Sequence, residues 1–232
     1  MTARIEVVAP DGIGEVGPGT DLAGLVVEHV PDGLRDGDVV VLTSKVVSKA
    51  EGRVVVGDRE EAILAETVRL VARRGPTSIV ENHLGLVMAA AGVDASNVAP
   101  GTLVLLPLDP DATARTIRTE VLVRTGTNVA VLITDTAGRA WRHGQTDLAV
   151  GAAGLEPLEE FVGRTDSFGN ELAVTAPAVA DEIAGVAELV SGKLGGRPLS
   201  VVRGLADRVL PAGEHGPGAR RLVREVGTDM FG

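Results

Sequence analysis

Apolar residues occur along the chain as short continuous runs and as helix-spaced stripes, separated by glycine-rich polar segments. Continuous runs of Val, Ile and Leu bounded by polar residues are typical of buried strands. The run at 128–134, N-V-A-V-L-I-T, is the clearest of them. The other predicted strands lie at 5–9, 38–43, 78–80, 85–89, 103–106 and 199–203.

Capping residues and apolar spacing predict four helices. They run from 20 or 21 to about 29, from 59 to 74, from 109 to 125 and from 178 to 191. In the second of these, Asp58 and Glu61 form a capping box at the start. Its core-facing stripe is predicted to be Leu64, Val68 and Val71.

The fourth predicted helix is amphipathic, and the stripe expected to face the core is Val179, Ile183, Val186 and Val190. The segments 10–20 and 138–154 are glycine-rich and are interpreted as irregular. Because helices and strands alternate without a regular repeat, we expect an α+β, or mixed α/β, fold with mixed sheets.

Composition supports a folded domain with an aliphatic core. The chain has 232 residues, of which 44% are hydrophobic, yet it contains three Phe, one Trp and no Tyr. This length fits a single domain spanning 1–232, or two small intertwined ones. The net charge of −10 argues against nucleic acid or an anionic membrane as the main partner. No apolar stretch reaches the roughly 18 residues that span a bilayer, so a cytoplasmic protein is expected.

Several common catalytic patterns are excluded. There is no Cys, which rules out thiolate metal sites and Cys nucleophiles. Gly12, Gly14 and Gly17 match G-x-G-x-x-G, but Pro18 and Gly19 follow, where a dinucleotide site needs a helix. The chain also has no phosphate-binding P-loop, no H-E-x-x-H and no G-x-S-x-G.

Two polar segments are candidates for ligand binding. Segment 43–53 follows a predicted strand and carries Lys45 and Lys49, which could hold a phosphate or carboxylate. The alternative is a solvated loop with surface lysines. Asp94 and Asn97 could contact a cation and its ligand, or could be turn residues that bond their own backbone.

The strongest candidate is the segment at 133–147, where an apolar strand is followed by Asp135 and Thr136. Oxygen ligands at the carboxyl end of a strand suit magnesium or manganese. Arg139 and Arg142 add donors that could meet an acidic substrate or a phosphate. An Asx turn with solvated arginines is the alternative. The residues favour an enzyme that uses a metal and a nucleotide.

Four segments carry a resemblance to a known family. They are T-S-K-V-V-S-K-A-E-G-R at 43–53, E-N-H-L-G-L-V-M-A-A-A-G-V-D-A-S-N-V at 81–98, D-T-A-G-R-A-W-R-H-G-Q-T-D-L-A-V-G-A-A-G-L at 135–155 and D-S-F-G-N-E-L-A-V-T at 166–175. In order and spacing they resemble the coenzyme F420-0:L-glutamate ligase family along nearly the whole chain. The most similar form is the actinobacterial one, in which a flavin-binding, nitroreductase-like domain follows the ligase domain. Residues 228–232 lie about where that second domain would begin.

The resemblance implies a GTP-dependent ligase of coenzyme F420 biosynthesis. It would join L-glutamate to the deazaflavin precursor F420-0, or its dehydro form, through an acyl phosphate, and then add further γ-linked glutamate. The implied cofactors are two divalent cations, Mg²⁺ or Mn²⁺, with K⁺ as an additional candidate. An intertwined homodimer is also implied.

Residue roles follow from the same resemblance. Asp94 and Asp135 would ligate one cation, and Thr136 would help to hold a second. Contacts to GTP are implied for Ile13, Gly14, Glu15, Val16, Ser44, Lys49 and Asn97, with a weaker correspondence for Gly192 and Lys193. Three further roles rest on the residues and not on the resemblance: Lys45 is expected beside Lys49 on the phosphates, and Arg139 and Arg142 are hypothesised to bind the acidic substrates. Lys49, Arg139 and Arg142 are the candidate catalytic residues. Some members have Gln as a metal ligand where this chain has Lys193, which leaves the second cation's ligands open.

Two other functions use the same residues. One is a metal-dependent nucleotide phosphohydrolase, and the other is a non-catalytic module that binds a deazaflavin or a nucleotide. Release of GDP that depends on glutamate would separate the ligase from the phosphohydrolase. Binding without turnover would identify the module.

Overall fold

The computed structural model describes residues 3–225 and 227–229. Its helices are α1 (Leu22–His29), α2 (Ser44–Ala50), α3 (Arg59–Glu66), α4 (Pro110–Thr125) and α5 (Val179–Ser191). Its strands are β1 (Glu6–Val8), β2 (Val39–Thr43), β3 (Val54–Val56), β4 (Thr67–Arg74), β5 (Thr77–Asn82), β6 (Val87–Ala89), β7 (Thr102–Val104), β8 (Ala130–Gly138), β9 (Gln145–Ala153) and β10 (Leu199–Arg203). The α+β prediction is confirmed. The chain end at 230–232, within the expected junction to a second domain, lies outside the described residues.

The central sheet has the strand order β1-β10-β2-β8-β9. Strands β2 and β8 are parallel, and the other neighbours are antiparallel. Both faces of the two parallel strands are buried, as expected where helices cover each side. Val40 and Leu42 of β2 pack in one core with residues of α1 and α4. Val39 and Val41, which alternate with them, pack in a second core with residues of α5.

Two smaller antiparallel sheets flank this one, β3 with β7 and β4-β5-β6 in that order. The second predicted helix is only partly correct, because α3 ends at Glu66 and the chain continues as β4. Asp58 caps α3 as predicted, accepting from the N–H groups of Glu60 and Glu61. The predicted core stripe is wrong: Leu64, Val68 and Val71 are 75%, 66% and 39% exposed.

The segment at 138–154 is not irregular, because most of it forms β9. Small residues let β9 lie close to α4: a Cβ on Gly151 would come within 2.6 Å of Pro110. Helix α5 packs on the same strand through alanines. Its buried positions are Val179, Ala180, Ile183, Ala184, Ala187 and Ser191, whereas Val190 of the predicted stripe is 41% exposed.

The remaining helix predictions agree with the structure. Asp21 caps α1, Asp109 caps α4, and Gly126 ends α4 in the left-handed conformation with φ of 75°. Within the described residues, no helix combines the length and apolar character that a membrane crossing requires.

Candidate active site

The predicted binding residues surround one cavity of about 620 Å³ at the carboxyl ends of β2 and β8. All but two of the residues singled out in the sequence line it. They are Ile13, Gly14, Glu15, Val16, Ser44, Lys45, Lys49, Asp94, Asn97, Asp135, Thr136, Gly192 and Lys193. Residues far apart in the chain therefore meet where the two parallel strands stop pairing.

The pairing of β2 with β8 ends at Thr43 opposite Thr134. Beyond it, β2 turns into α2, so Ser44 and Asp135 are the next residues on each side. The Ser44 hydroxyl donates to Asp135 Oδ1 at 2.8 Å. Asp135 and Thr136 lie within β8 and not after it, because pairing with β9 extends the strand to Gly138.

Asp135 is a half-buried carboxylate whose ionised form is disfavoured by its surroundings. Its pKa is raised to about 6, chiefly by burial. The hydrogen bond from Ser44 opposes this rise, whereas the like charges of Asp147 and Asp94 add to it. Such an environment favours either protonation or a nearby cation.

Asp147 is a buried site residue that the sequence interpretation did not single out. It is 5% exposed and stands opposite Thr136 in the β8–β9 register. Its carboxylate accepts from the Thr136 hydroxyl at 2.7 Å and from the Thr134 hydroxyl at 3.3 Å. Asp147 directly precedes the apolar run L-A-V-G-A-A, and this position could have identified it as a site residue. The sequence interpretation does not use this position, because it does not recognise β9 as a strand.

Asp94 makes the contacts of a turn residue and also lines the cavity. Its carboxylate accepts from the N–H of Ser96 at 2.7 Å and from the Ser96 hydroxyl at 2.9 Å, as a turn residue does. It also forms an ion pair with Lys45 Nζ at 2.7 Å. Burial alone would raise the pKa of Asp94, but the hydrogen bonds from Lys45 and Ser96 outweigh it and lower that pKa.

The two lysines of segment 43–53 are on a helix and not on a solvated loop, since α2 spans most of that segment. Lys45 and Lys49 are one turn apart on α2 and both reach the cavity. Lys49 pairs with Glu15 and donates to the Asn97 carbonyl at 3.2 Å. Asn97 has a φ of 56°, in the left-handed region that Asn tolerates.

Lys193 approaches from the other side, in the turn after α5. Its Nζ donates to the Thr136 hydroxyl at 2.9 Å. Glu188, in the last turn of α5, also lines the cavity. Burial raises the pKa of Glu188, the charge of Asp147 adds to this rise, and the charge of Lys193 opposes it.

Arg139 and Arg142 do not line this cavity. Arg139 lines a neighbouring depression with Asp181 and Glu182, which shares Asp147 with the main cavity. Its guanidinium donates to the His143 carbonyl at 2.6 Å. Arg142 is exposed on the turn between β8 and β9. The structure thus separates the two arginines from the other predicted residues.

The acidic residues fit a divalent cation whose remaining ligands are water or the phosphate oxygens of a substrate. Among the described residues, no three carboxylates or imidazoles gather into a cation cage. Magnesium is usually held by one or two carboxylates together with phosphate oxygens and water. Asp135, half-buried and with a raised pKa, and Asp94 suit that kind of binding.

Comparison with known proteins gives a consistent result. The family described as F420-0:Gamma-glutamyl ligase matches residues 12–204. A coenzyme F420:L-glutamate ligase of Archaeoglobus fulgidus is 41% identical over 222 residues, covering 87% of this chain and 88% of the relative. Relatives with the same name are 38% identical in Methanopyrus kandleri, covering 99% and 98%, and 39% identical in Halobacterium salinarum, covering 96% and 93%.

Proposed function

The chain belongs to the F420-0:gamma-glutamyl ligase family, and from this premise we propose that it joins L-glutamate to F420-0 at the expense of GTP. Further γ-linked glutamate would then be added to the product. The observation that supports this most directly is the single cavity. It gathers two lysines of α2, the half-buried Asp135 and the loop at 13–16 around one space.

The α2 side of the cavity is the proposed GTP site. Lys45 and Lys49 supply two ammonium groups, and Ser44 supplies a hydroxyl at the start of the same helix. Both lysines are now paired with carboxylates, Asp94 and Glu15, which phosphate oxygens would replace. The loop at 13–16 and Asn97 complete this side without a P-loop.

Asp94 and Asp135 are the proposed ligands of a divalent cation, Mg²⁺ or Mn²⁺, with Thr136 next to it. When bound, the cation would neutralise phosphate charge and fix the geometry of in-line transfer. The residues themselves hold the shape of the site, since Asp135 is hydrogen-bonded to Ser44 and Thr136 to Asp147.

The proposed chemistry has two steps. A carboxylate oxygen of the deazaflavin substrate attacks the γ-phosphorus of GTP, and the bond from that phosphorus to the β-phosphate oxygen breaks, releasing GDP. The amine nitrogen of glutamate then attacks the acyl carbon, phosphate leaves, and the nitrogen loses a proton as the amide forms. Lys45 and Lys49 would stabilise the charge on the transferred phosphoryl group.

Acidic substrates would extend toward Arg139 and Arg142. Arg139 borders the depression that adjoins the main cavity, so a substrate that spans both could reach its guanidinium. In this proposal, Arg139→Ala or Arg142→Ala raises the KM for glutamate or for F420-0. Unchanged KM values and turnover in both variants would remove the arginines from the site.

We propose that the chain forms one ligase domain. The proposed functional form is a homodimer of this chain. The hairpin formed by β4 and β5 presents apolar side chains to solvent. Val68 and Leu70 of β4 are 66% and 57% exposed, and Leu64, in the last turn of the preceding helix α3, is 75% exposed. Exposed apolar residues grouped in this way mark interaction surfaces. A second copy of the chain is the proposed occupant.

The test of the proposed function is incubation with GTP, Mn²⁺, L-glutamate and F420-0, followed by mass analysis of the deazaflavin. The expected product is heavier by one or more glutamyl residues. The requirement for each cofactor is measured in parallel reactions. In these, GTP is omitted, K⁺ is replaced with Na⁺, or Mn²⁺ is replaced with Mg²⁺. If no mass increase occurs with either metal while the protein is folded, the ligase proposal is wrong.

A further inference from the structure

The lysines of this chain are confined to one place. The sequence has three lysines and nineteen arginines, and Lys45, Lys49 and Lys193 all line the cavity. Lysine carries a compact ammonium, whereas arginine carries a broad planar fork, so the two are not interchangeable at a tight site. The cavity is therefore where this protein uses compact positive charges.

Lys193 differs from the other two lysines in what it contacts. Lys45 and Lys49 each form an ion pair with a carboxylate on the α2 side. Lys193 Nζ instead donates to a neutral group, the hydroxyl of Thr136, at 2.9 Å. It thus brings an additional positive charge to the β8 side of the cavity.

The hydrogen bonds of the Thr136 hydroxyl position the Lys193 ammonium. A hydroxyl has one hydrogen and two lone pairs. The Thr136 hydrogen is donated to Asp147 Oδ1 at 2.7 Å, which turns the lone pairs away from Asp147. One lone pair then accepts from Lys193. The ammonium occupies a position from which a cation would coordinate this oxygen.

The net charge of the side chains on the β8 side of the cavity can be balanced by one divalent cation. Six charged residues that line the cavity are engaged in ion pairs: Asp94 with Lys45, Glu15 with Lys49, Arg59 with Glu60 and Arg197 with Asp11. Among the described residues, the lining groups outside these pairs are three carboxylates, Asp135, Asp147 and Glu188, and one ammonium, Lys193. The difference is two negative charges, which a single divalent cation balances. A second divalent cation would have to bind beside the Lys193 ammonium against its repulsion.

We propose that Lys193 takes the place of a second divalent cation, so that the nucleotide-free protein binds one divalent cation per chain, at Asp135 and Asp94. This inference rests on the cation site of the proposed function and specifies its content. In place of the two cations that the family resemblance implies, the chain supplies one of the two positive centres itself.

The experiment is a titration of the nucleotide-free protein with Mn²⁺ at pH 8, following the electron paramagnetic resonance signal of the free ion. Wild type should bind one Mn²⁺ per chain. Lys193→Gln, which keeps a polar side chain and removes the charge, should bind a second Mn²⁺ at least about tenfold more tightly than wild type does. Arg164→Gln, which removes a positive charge from an exposed loop, should match wild type. Asp135→Asn should lose the first ion.

Each other outcome contradicts the inference. Two ions in wild type, no ion in wild type, or a single ion in folded Lys193→Gln would show that Lys193 does not replace a cation. Retention of the first ion in Asp135→Asn would place it elsewhere. Failure of the ligase reaction in a protein that binds one Mn²⁺ as described would overturn the proposed function and leave this inference standing.

Discussion

At the scale of single residues, Asp135 is held in a state that disfavours its own charge. Burial and the charges of Asp147 and Asp94 raise its pKa to about 6. A strongly shifted carboxylate in a cavity is typical of a functional site. The protein therefore tolerates local repulsion at Asp135 that a bound cation would relieve.

We predict that Asp135→Asn stabilises the metal-free protein in a pH-dependent way. Because the pKa of Asp135 is higher folded than unfolded, the folded state binds more protons between about pH 4 and pH 6, and wild type loses stability as the pH rises through this range. The variant lacks this loss. Urea unfolding in EDTA should show its advantage in free energy growing by on the order of 1 kcal/mol from pH 5 to pH 7.5. An advantage that is the same at both pH values would refute the assignment.

Asp147 acts, in this account, through Thr136 and not on the substrate directly. Asp147→Ala removes the acceptor that orients the Thr136 hydroxyl. The hydrogen bond from Lys193 to that hydroxyl is then no longer held in position. We expect kcat to fall by about 10–100-fold, with a smaller change in the KM for GTP. Asp147→Asn keeps an acceptor oxygen at this position and should recover part of the loss. Equal loss in folded Ala and Asn variants would indicate that the charge of Asp147 matters and not its hydrogen bond.

At the scale of elements, the sequence was informative where one segment determines its own structure. The caps at Asp21 and Asp109 and the stop at Gly126 depend on nearby residues, and the helices began and ended as predicted. The chain at 67–74 has helix-like apolar spacing, but pairing with β5 makes it a strand. That pairing depends on a segment of the chain that local spacing does not describe.

The same limit explains the site. Asp135 was found because polar residues follow an obvious apolar run, whereas Asp147 depends on recognising β9. Strand β9 consists largely of Gly and Ala in its buried half, which have weak strand preference and here serve close packing. Arg139 was assigned by proximity in sequence, and the turn between β8 and β9 carries it outside the main cavity.

The β4 hairpin carries the prediction at this scale. Leu70→Lys should convert the proposed homodimer to a monomer, because it places a charge on the exposed apolar strand. Light scattering coupled to size-exclusion chromatography measures the change. Val123→Lys is the matched control, since Val123 is also an exposed apolar residue, 75% exposed, but belongs to α4 and not to the hairpin. A monomeric wild type, or a dimeric Leu70→Lys, would contradict the proposed interface.

At the scale of the whole molecule, the fold brings distant segments to the end of two parallel strands. Segments at 13–16, 44–49, 94–97, 135–147 and 188–193 contribute to one cavity. The family resemblance predicted which of these residues would meet, and the strand pairing of β2 with β8 supplies the physical reason. In the proposed function, sustained use of GTP needs both acceptors, because the acyl phosphate formed on F420-0 is consumed only when glutamate attacks it.

The most direct test of the ligase account is the dependence of GDP release on the two acceptors. With only GTP and Mn²⁺ present, the release of GDP should be low. It should become sustained only when F420-0 and L-glutamate are added together. Asp135→Asn should abolish the sustained release. Equal GDP release with and without the two acceptors would identify a nucleotide phosphohydrolase and contradict the account.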